Sequence, residues 1–390
     1  MFVSRIKLKN WRNFKSVDVP LGHRTFLVGP NASGKSNFLD AIRFLRHIAN
    51  PKGGGLEAAV IERGGVSKIR NLAARMYPNI EIEIELSDAA GEPPTWRYAI
   101  GFTHEKPKRV GRLSMPKLVF ERVWHQNEKI LDRPDQADQN DDRLLTQTHL
   151  QQIGFNKKFR EISQFLTSIT YLHLVPQFLR HPGEFSDFKL SDDPYGKDLL
   201  RRIVQKPEKT QKNSLKKIEM ALKTAVPQLK ELSIVQDEMG APHLQAKYEH
   251  WRPQGGIQRE DQFSDGTLRL IGLLWALLET DSVLLLEEPE ISLHSSIVEK
   301  LPNLIFNLTK HQKRRRQVIL STHSADMLSD RSIDGGQVIL LTPKSEGTEA
   351  QVAGKIEEIR NYLESGFSMA EAVIPYTKPA LIDQLSLFEK

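Results

Sequence analysis

Polar and apolar residues alternate from the start of the chain: Ile6 and Leu8 lie between Arg5, Lys7 and Lys9, and Val17, Val19 and Leu21 repeat the period. Two half-buried strands are expected there. Thr25, Phe26, Leu27 and Val28 form a short apolar run that stops at Gly29, the mark of a buried strand entering a glycine loop. From Asn37 onward, Phe38, Leu39, Ile42, Leu45 and Ile48 share one face of a helix that Asn50 and Pro51 close. Residues 52–70 are glycine-broken and read as irregular. Ile80, Ile82, Ile84 and Leu86 then alternate with Glu81, Glu83 and Glu85, and Trp96, Tyr98, Ile100 and Phe102 follow the same period. With a third strand over 117–124 they predict an antiparallel meander, packed on one face and wet on the other.

Residues 132–143 (DRPDQADQNDDR) carry almost no apolar side chain and are expected to form a solvated loop. Helical patterns over 144–168 precede a strand at 171–175 and a proline- and aspartate-rich connection over 176–196. Basic amphipathic helices are expected near 197–206 and 212–225, and strands at 229–236 and 243–251. No repeat or sustained heptad pattern is present, so no long coiled-coil arm is expected.

Composition narrows the function classes. A chain of 390 residues predicts two or three domains, or one with large insertions. The absence of cysteine excludes disulfides, thiolate metal sites and a cysteine nucleophile, and fits a reducing compartment. The longest apolar run, 270–278, falls far short of the about 20 residues a membrane helix needs. The amino terminus has no continuous hydrophobic region of a signal peptide. A soluble, cytoplasmic protein without a membrane partner is expected. The net charge of +6 and pI near 9.2 are compatible with nucleic-acid binding but modest in a chain with 55 basic and 49 acidic residues. Three basic runs stand out: 310–316; Lys106, Lys108, Arg109 and Arg112; and Lys206, Lys209, Lys212, Lys216 and Lys217. Such runs are commonly solvated faces; together they point to salt-sensitive binding of duplex DNA through its phosphates.

Four short segments carry the chemistry. Gly29-Pro30-Asn31-Ala32-Ser33-Gly34-Lys35-Ser36, followed by Asn37, fits G-x-x-x-x-G-K-[ST] between a strand and a helix. Its glycines allow a tight wrap whose N–H groups form an anion nest, and the helix dipole adds to that field. Lys35 would reach β- and γ-phosphate oxygens, and the Ser36 hydroxyl would ligate Mg²⁺. In Val283-Leu284-Leu285-Leu286-Glu287-Glu288-Pro289-Glu290, four apolar residues make a buried strand with two carboxylates at its end. Neighbouring strand residues point to opposite faces, so the strand must end at Glu287 if both are to serve one site. Glu287 is assigned to Mg²⁺ through its water shell and Glu288 to polarising the attacking water. Phe263-Ser264-Asp265-Gly266-Thr267 precedes an apolar helix and serves equally as anion-binding equipment or as an ordinary N-cap. Ser321-Thr322-His323-Ser324 follows a strand and places a histidine where it can bond a γ-phosphate or the attacking water.

In this order the four segments resemble the Walker A loop, signature motif, Walker B strand and switch histidine of the ABC-type ATPase superfamily. Leu8-Lys9-Asn10-Trp11-Arg12-Asn13-Phe14 and GPNASGKSN are similar to its RecF/SMC branch, and Ser264–Arg269 with Glu287–His294 to the OLD (overcoming lysogenization defect) family. The resemblance implies an α/β fold: an ABC-type head with a mixed central sheet, an antiparallel β-meander and a helical insertion. It implies a nucleotide-sandwich homodimer or higher even oligomer, in which Ser264, Asp265 and Gly266 of one copy close over ATP and Mg²⁺ held by the other. Arg12 stands where relatives place a nucleotide-contacting arginine. Ser295 replaces the proline that commonly follows the Leu-His pair, and Gln177 follows a strand without being assigned to the glutamine loop. OLD nucleases also carry a Toprim domain; the tail here lacks its D-x-D pair, so a separately encoded nuclease or toxin effector is expected. The head's first lobe is expected over 1–143, the insertion over 144–255, the second lobe over 256–345 and a tail over 346–390. The expected function is ATP hydrolysis in DNA repair or anti-phage defence. The alternative is a nucleotide-controlled scaffold for an effector, without DNA binding.

Overall fold

The alternating strands assemble as their pattern dictates. In the computed structural model, which describes residues 1–74, 78–104, 115–181, 193–250, 256–279, 282–310 and 316–378, Ile80, Ile82 and Ile84 are buried and Glu81, Glu83 and Glu85 half-exposed. Two compact units divide the chain: 1–169 with 316–390, and 170–315.

In the first unit, a six-stranded antiparallel sheet runs in the order Phe14–Pro20, Phe2–Trp11, Ile80–Ser87, Trp96–His104, Pro116–His125, Glu128–Arg133. Its wet face is stitched by cross-strand ion pairs at matched register: Lys9–Glu81 at 3.0 Å, Lys7–Glu83 at 2.8 Å and Arg5–Glu85 at 3.9 Å. Each such pair contributes only a few tenths of a kcal/mol to about 1 kcal/mol. Their larger effect is on register, because a one-residue slip would send every isoleucine to water. A second group of strands in this unit has the order Gly347–Val352, Val338–Lys344, Arg24–Val28, Val318–Thr322. Arg24–Val28 is parallel to both its neighbours, and the first two strands form an antiparallel hairpin. A tail starting at 346 would cut that hairpin.

The helix Lys35–Ala49 buries Phe38, Leu39, Ala41, Ile42, Phe44, Leu45 and Ile48. Trp11 meets Phe44 at 5.1 Å between ring centroids, and its indole N–H donates to the Asn37 carbonyl at 2.7 Å. The helix Arg160–Ser168 docks through the Thr167 hydroxyl, which donates to the Ala49 carbonyl at 3.3 Å. The helical stretch expected to open the insertion therefore belongs to the first unit. Residues 52–70, expected to be irregular, form the short helices Leu56–Glu62 and Val66–Ile69.

Residues 132–143 depart most from expectation. Arg133 is 1% exposed and ends a fourth meander strand. Its guanidinium donates to Glu121 at 3.0 Å, to Asp138 at 2.6 and 3.0 Å, and to the carbonyls of Leu144 and Gln147. Asp135 and Asp138 form a capping box on the helix Gln136–Asn140. The segment is ordered because its charges meet partners brought in by the meander.

In the second unit, Thr170–Leu172 and Leu284–Glu287 pair in parallel, and Leu229–Gln236, Pro242–Tyr248 and Ile257–Arg259 form an antiparallel sheet. The helix Asp265–Glu279 buries Leu268, Leu270, Ile271, Leu273, Leu274, Trp275 and Leu277, residues that lie nearly all round it. The helix Glu208–Ala225 buries Leu215, Ile218 and Leu222. Among the described residues no helix is long and apolar enough to cross a membrane.

Candidate functional site

The loop after Arg24–Val28 is shaped by two close approaches. A Cβ on Gly29 would lie 2.5 Å from the Leu341 carbonyl oxygen and 2.6 Å from the Ser33 hydroxyl. Gly34, the N-cap of Lys35–Ala49, has φ 99° and ψ 20°, a left-handed conformation that glycine adopts without penalty. Its missing side chain leaves room for the Asn13 carboxamide, 2.2 Å from where a Cβ would stand. Asn13 is held in turn: its Nδ2 donates to the Ser33 carbonyl and to the Thr348 hydroxyl, both at 2.8 Å, and its Oδ1 accepts from Asn37 at 2.8 Å. Asn13 reaches the loop because Arg12 and Asn13 form the two-residue tip of the hairpin that pairs Trp11 with Phe14. Arg12 has φ 52° there, in the left-handed region that few non-glycine residues adopt.

Lys35 is buried, with Nζ donating to the carbonyls of Gly29 and Pro30 at 3.0 and 3.1 Å. Its ammonium lies folded over the loop it would present to a phosphate. Ala32 has φ 62°, and Asn31, Ala32 and Ser36 are exposed while Ser33 is fully buried. The loop leads directly into the first turn of Lys35–Ala49, where the positive end of the helix dipole lies. His323 is exposed and follows Thr322, which is in register with Val28 on the neighbouring parallel strand. It stands at the same strand end as the glycine loop.

Arg12 points at Asp40 on the same helix, donating from Nη2 at 3.1 Å. Asp40 also takes two hydrogen bonds from Nε of Arg63 at 3.0 Å and one from its Nη2 at 2.7 Å. Burial works against its charge, yet Arg63 and Arg12 together hold the carboxyl below its ordinary value.

In the second unit, Leu284, Leu285 and Leu286 are buried and the strand ends at Glu287. Glu288 follows with φ 43°, which breaks the alternation that would send adjacent carboxylates to opposite faces. The Tyr171 hydroxyl, from the paired strand, donates to Glu287. The Ser264 hydroxyl accepts from the Thr267 N–H at 3.2 Å, so it caps the helix it precedes. A Cβ on Gly266 would lie 2.6 Å from the Ser292 carbonyl, so only glycine allows the turn to sit against the loop after Glu290. Arg269 feels the charges of Asp265, Glu290 and Glu288, although burial pulls its guanidinium below the ordinary value. Asp265 is paired with Arg180 at 2.7 Å. His294 Nδ1 accepts from the Ser296 N–H at 3.2 Å, capping the short helix that Ser295 begins. Gln177 is exposed on Pro176–Arg180.

The structure thus gathers Arg12, Gly29–Ser36, Asn37 and His323 in one unit, and Ser264–Gly266, Glu287 and Glu288 in the other. Sequence reasoning passed over Asn13, Tyr171 and Arg180, each a single polar residue whose partner is remote in the chain. The basic run at 106–112 and residues 311–315 lie outside the described residues. On Glu208–Ala225, Lys212 pairs with Glu208, and Lys216 and Lys223 with Glu219, so two glutamates face five lysines and the helix stays basic.

Residues 24–329 match the family model for the AAA domain, putative AbiEii toxin, Type IV TA system. Over 87 residues the chain is 31% identical to the DNA replication and repair protein RecF of Synechocystis sp., covering 22% of this chain and 23% of that protein. Over 45 residues it is 53% identical to the chromosome partition protein Smc of Methanocaldococcus jannaschii, covering 11% and 4%. The matches span less than a quarter of these curated relatives. A solved Smc head bound to the C-winged helix domain of ScpA is similar over 90% of this chain and 97% of its own, with a TM-score of 0.55 and 15% identity. That likeness shows the fold.

Proposed function

We propose, from the premise that this chain belongs to the AAA-domain family matched over residues 24–329, that it binds and hydrolyses ATP in a site shared between two copies. It is an ABC-type ATPase of the RecF/SMC branch, with the mixed α/β fold of an SMC head. The observation that carries the reading is the glycine loop closed around Gly34 and braced by Asn13 at a helix N-terminus.

In this reading the loop N–H groups and Lys35 bind the β- and γ-phosphates, with Asn31, Ala32, Ser33 and Asn37 shaping the cradle. Lys35 exchanges its two carbonyl partners for phosphate oxygens. Glu288 accepts a proton from the attacking water, and His323 bonds the γ-phosphate or that water. An exposed Ser36 hydroxyl and one carboxylate, Glu287, suit Mg²⁺, which keeps several waters and takes its other oxygens from phosphates. When bound, the ion would neutralise charge on the β- and γ-phosphate oxygens. Ser264 and Gly266 of a second copy close over the nucleotide, and Asp265 holds their turn. Arg12 has a second role open to it, because Arg63 keeps Asp40 paired if Arg12 turns to phosphate. ATP favours the closed dimer only as far as it binds that state more tightly.

In this reading the chain acts in DNA repair, as its likeness to the DNA replication and repair protein RecF suggests, or in anti-phage defence, toward which the family's putative toxin points, with a separate nuclease or toxin as effector. A second version, in which nucleotide controls an effector and duplex DNA is not bound, draws on the ion pairs that engage Lys212, Lys216 and Lys223 of Glu208–Ala225. Retention of duplex DNA that weakens steeply with salt supports the first version; none at low salt supports the second. For the ATPase itself, turnover per chain should rise with protein concentration as dimers form and be lost on Mg²⁺ chelation. Turnover per chain that stays constant across the dimerisation range contradicts the shared site.

A further inference from the structure

We infer that Arg180 is a positioning residue for the turn that presents Ser264 to nucleotide on a second copy; the inference rests on the shared-site reading. Arg180 ends the helix Pro176–Arg180, and a single nitrogen, Nη2, donates to the Phe263 carbonyl and to Asp265 Oδ1, each at 2.7 Å. These acceptors flank Ser264 on both sides. Ser264 itself is exposed, whereas Phe263 before it is 3% exposed. The guanidinium therefore staples the two neighbours and leaves the serine facing outward.

A second restraint acts from behind. A Cβ added to Gly266 would lie 2.6 Å from the Ser292 carbonyl oxygen, so no side chain fits there, and Ser292 has φ 64°. Steric contact fixes the glycine and the charge-assisted bonds of Arg180 fix the residues before it. With both in place, the Ser264 cap and the helix N–H groups keep one orientation before any partner arrives. Losing conformational freedom on association costs affinity, so a turn fixed in advance strengthens closure although Arg180 itself need not touch the nucleotide. Arginine suits the task because its rigid, planar guanidinium holds the donating nitrogen in place, whereas lysine offers a mobile point charge.

The test uses the full chain carrying Glu288→Gln, with Arg180→Gln or Arg180→Lys added. ATP affinity of the dilute chain and the ATP-driven dimerisation constant are measured separately. Arg180→Gln should leave ATP affinity within about twofold, because the partners of its guanidinium, Phe263 and Asp265, are not part of the glycine loop. It should weaken dimerisation by roughly tenfold or more, the value of a charged hydrogen bond. Arg180→Lys should fall between that variant and the parent, and amide exchange at 263–267 should speed up in Arg180→Gln without ATP. An unchanged dimerisation constant overturns the inference, as does an equal loss of ATP binding, which would mean general destabilisation. Absence of ATP-driven dimers already in Glu288→Gln alone would remove the shared-site reading, and this inference with it.

Discussion

Replacing Glu288 by glutamine is expected to lower ATP turnover by about 10²–10⁴-fold, the range for loss of a general base. Binding of ATP should persist, because glutamine keeps the volume and hydrogen-bonding reach of glutamate and loses only the ability to accept a proton. The expectation comes from backbone geometry. Leu284–Glu287 is a buried strand, and the chain leaves it at Glu288 with φ 43°. A non-glycine residue in that region is strained by about 1–2 kcal/mol. Strain of this kind is commonly kept where it aims a functional side chain. Measuring steady-state hydrolysis beside ATP affinity separates chemistry from binding. Near-normal turnover would move the proton acceptor to another group, with His323 the next to examine.

Gly34→Ala should have a comparable effect on binding. A Cβ there would meet the Asn13 amide at 2.2 and 2.5 Å, at a residue whose φ is already 99°. Asn13 cannot swing away cheaply, since it bridges the Ser33 carbonyl, Thr348 and Asn37. Backbone strain alone is worth about 1–3 kcal/mol. Displacing the brace also disorders the N–H groups that would face phosphate. ATP affinity should fall by at least about a hundredfold, two steps of 1.4 kcal/mol. Gly91→Ala is the control: its φ of 85° is also left-handed, but no atom lies within 4 Å of the added carbon. It should cost stability and leave ATP affinity unchanged. Titration calorimetry on both variants reads the difference, and parental affinity in Gly34→Ala would refute the cradle.

What could be read from the chain were features written in neighbouring residues. The isoleucine–glutamate alternation over 80–86 is a surface pattern with period two, and its strand lies where the pattern puts it. The glycine loop was legible because its strand, turn and helix are contiguous. The requirement that the strand end at Glu287 follows from side-chain alternation alone, and the backbone meets it. The failures have the opposite character. Residues 132–143 look solvated by composition, yet Arg133 is buried because Glu121, twelve positions earlier, faces it across the meander. Asn13 meets Thr348 and Arg180 meets Asp265 only after folding brings remote segments together.

The shared site can be tested by mixing two inactive chains. Lys35→Ala removes the cradle's cation, and Ser264→Asp keeps a good helix cap while setting a negative charge against the partner's triphosphate. Each alone should be nearly inactive. In an equimolar mixture, half of the randomly formed dimers pair one chain of each kind. Each such dimer has one intact site, so about a quarter of parental turnover should return, as two-fold symmetry requires. A mixture no more active than its separate components would contradict a nucleotide site built from both copies.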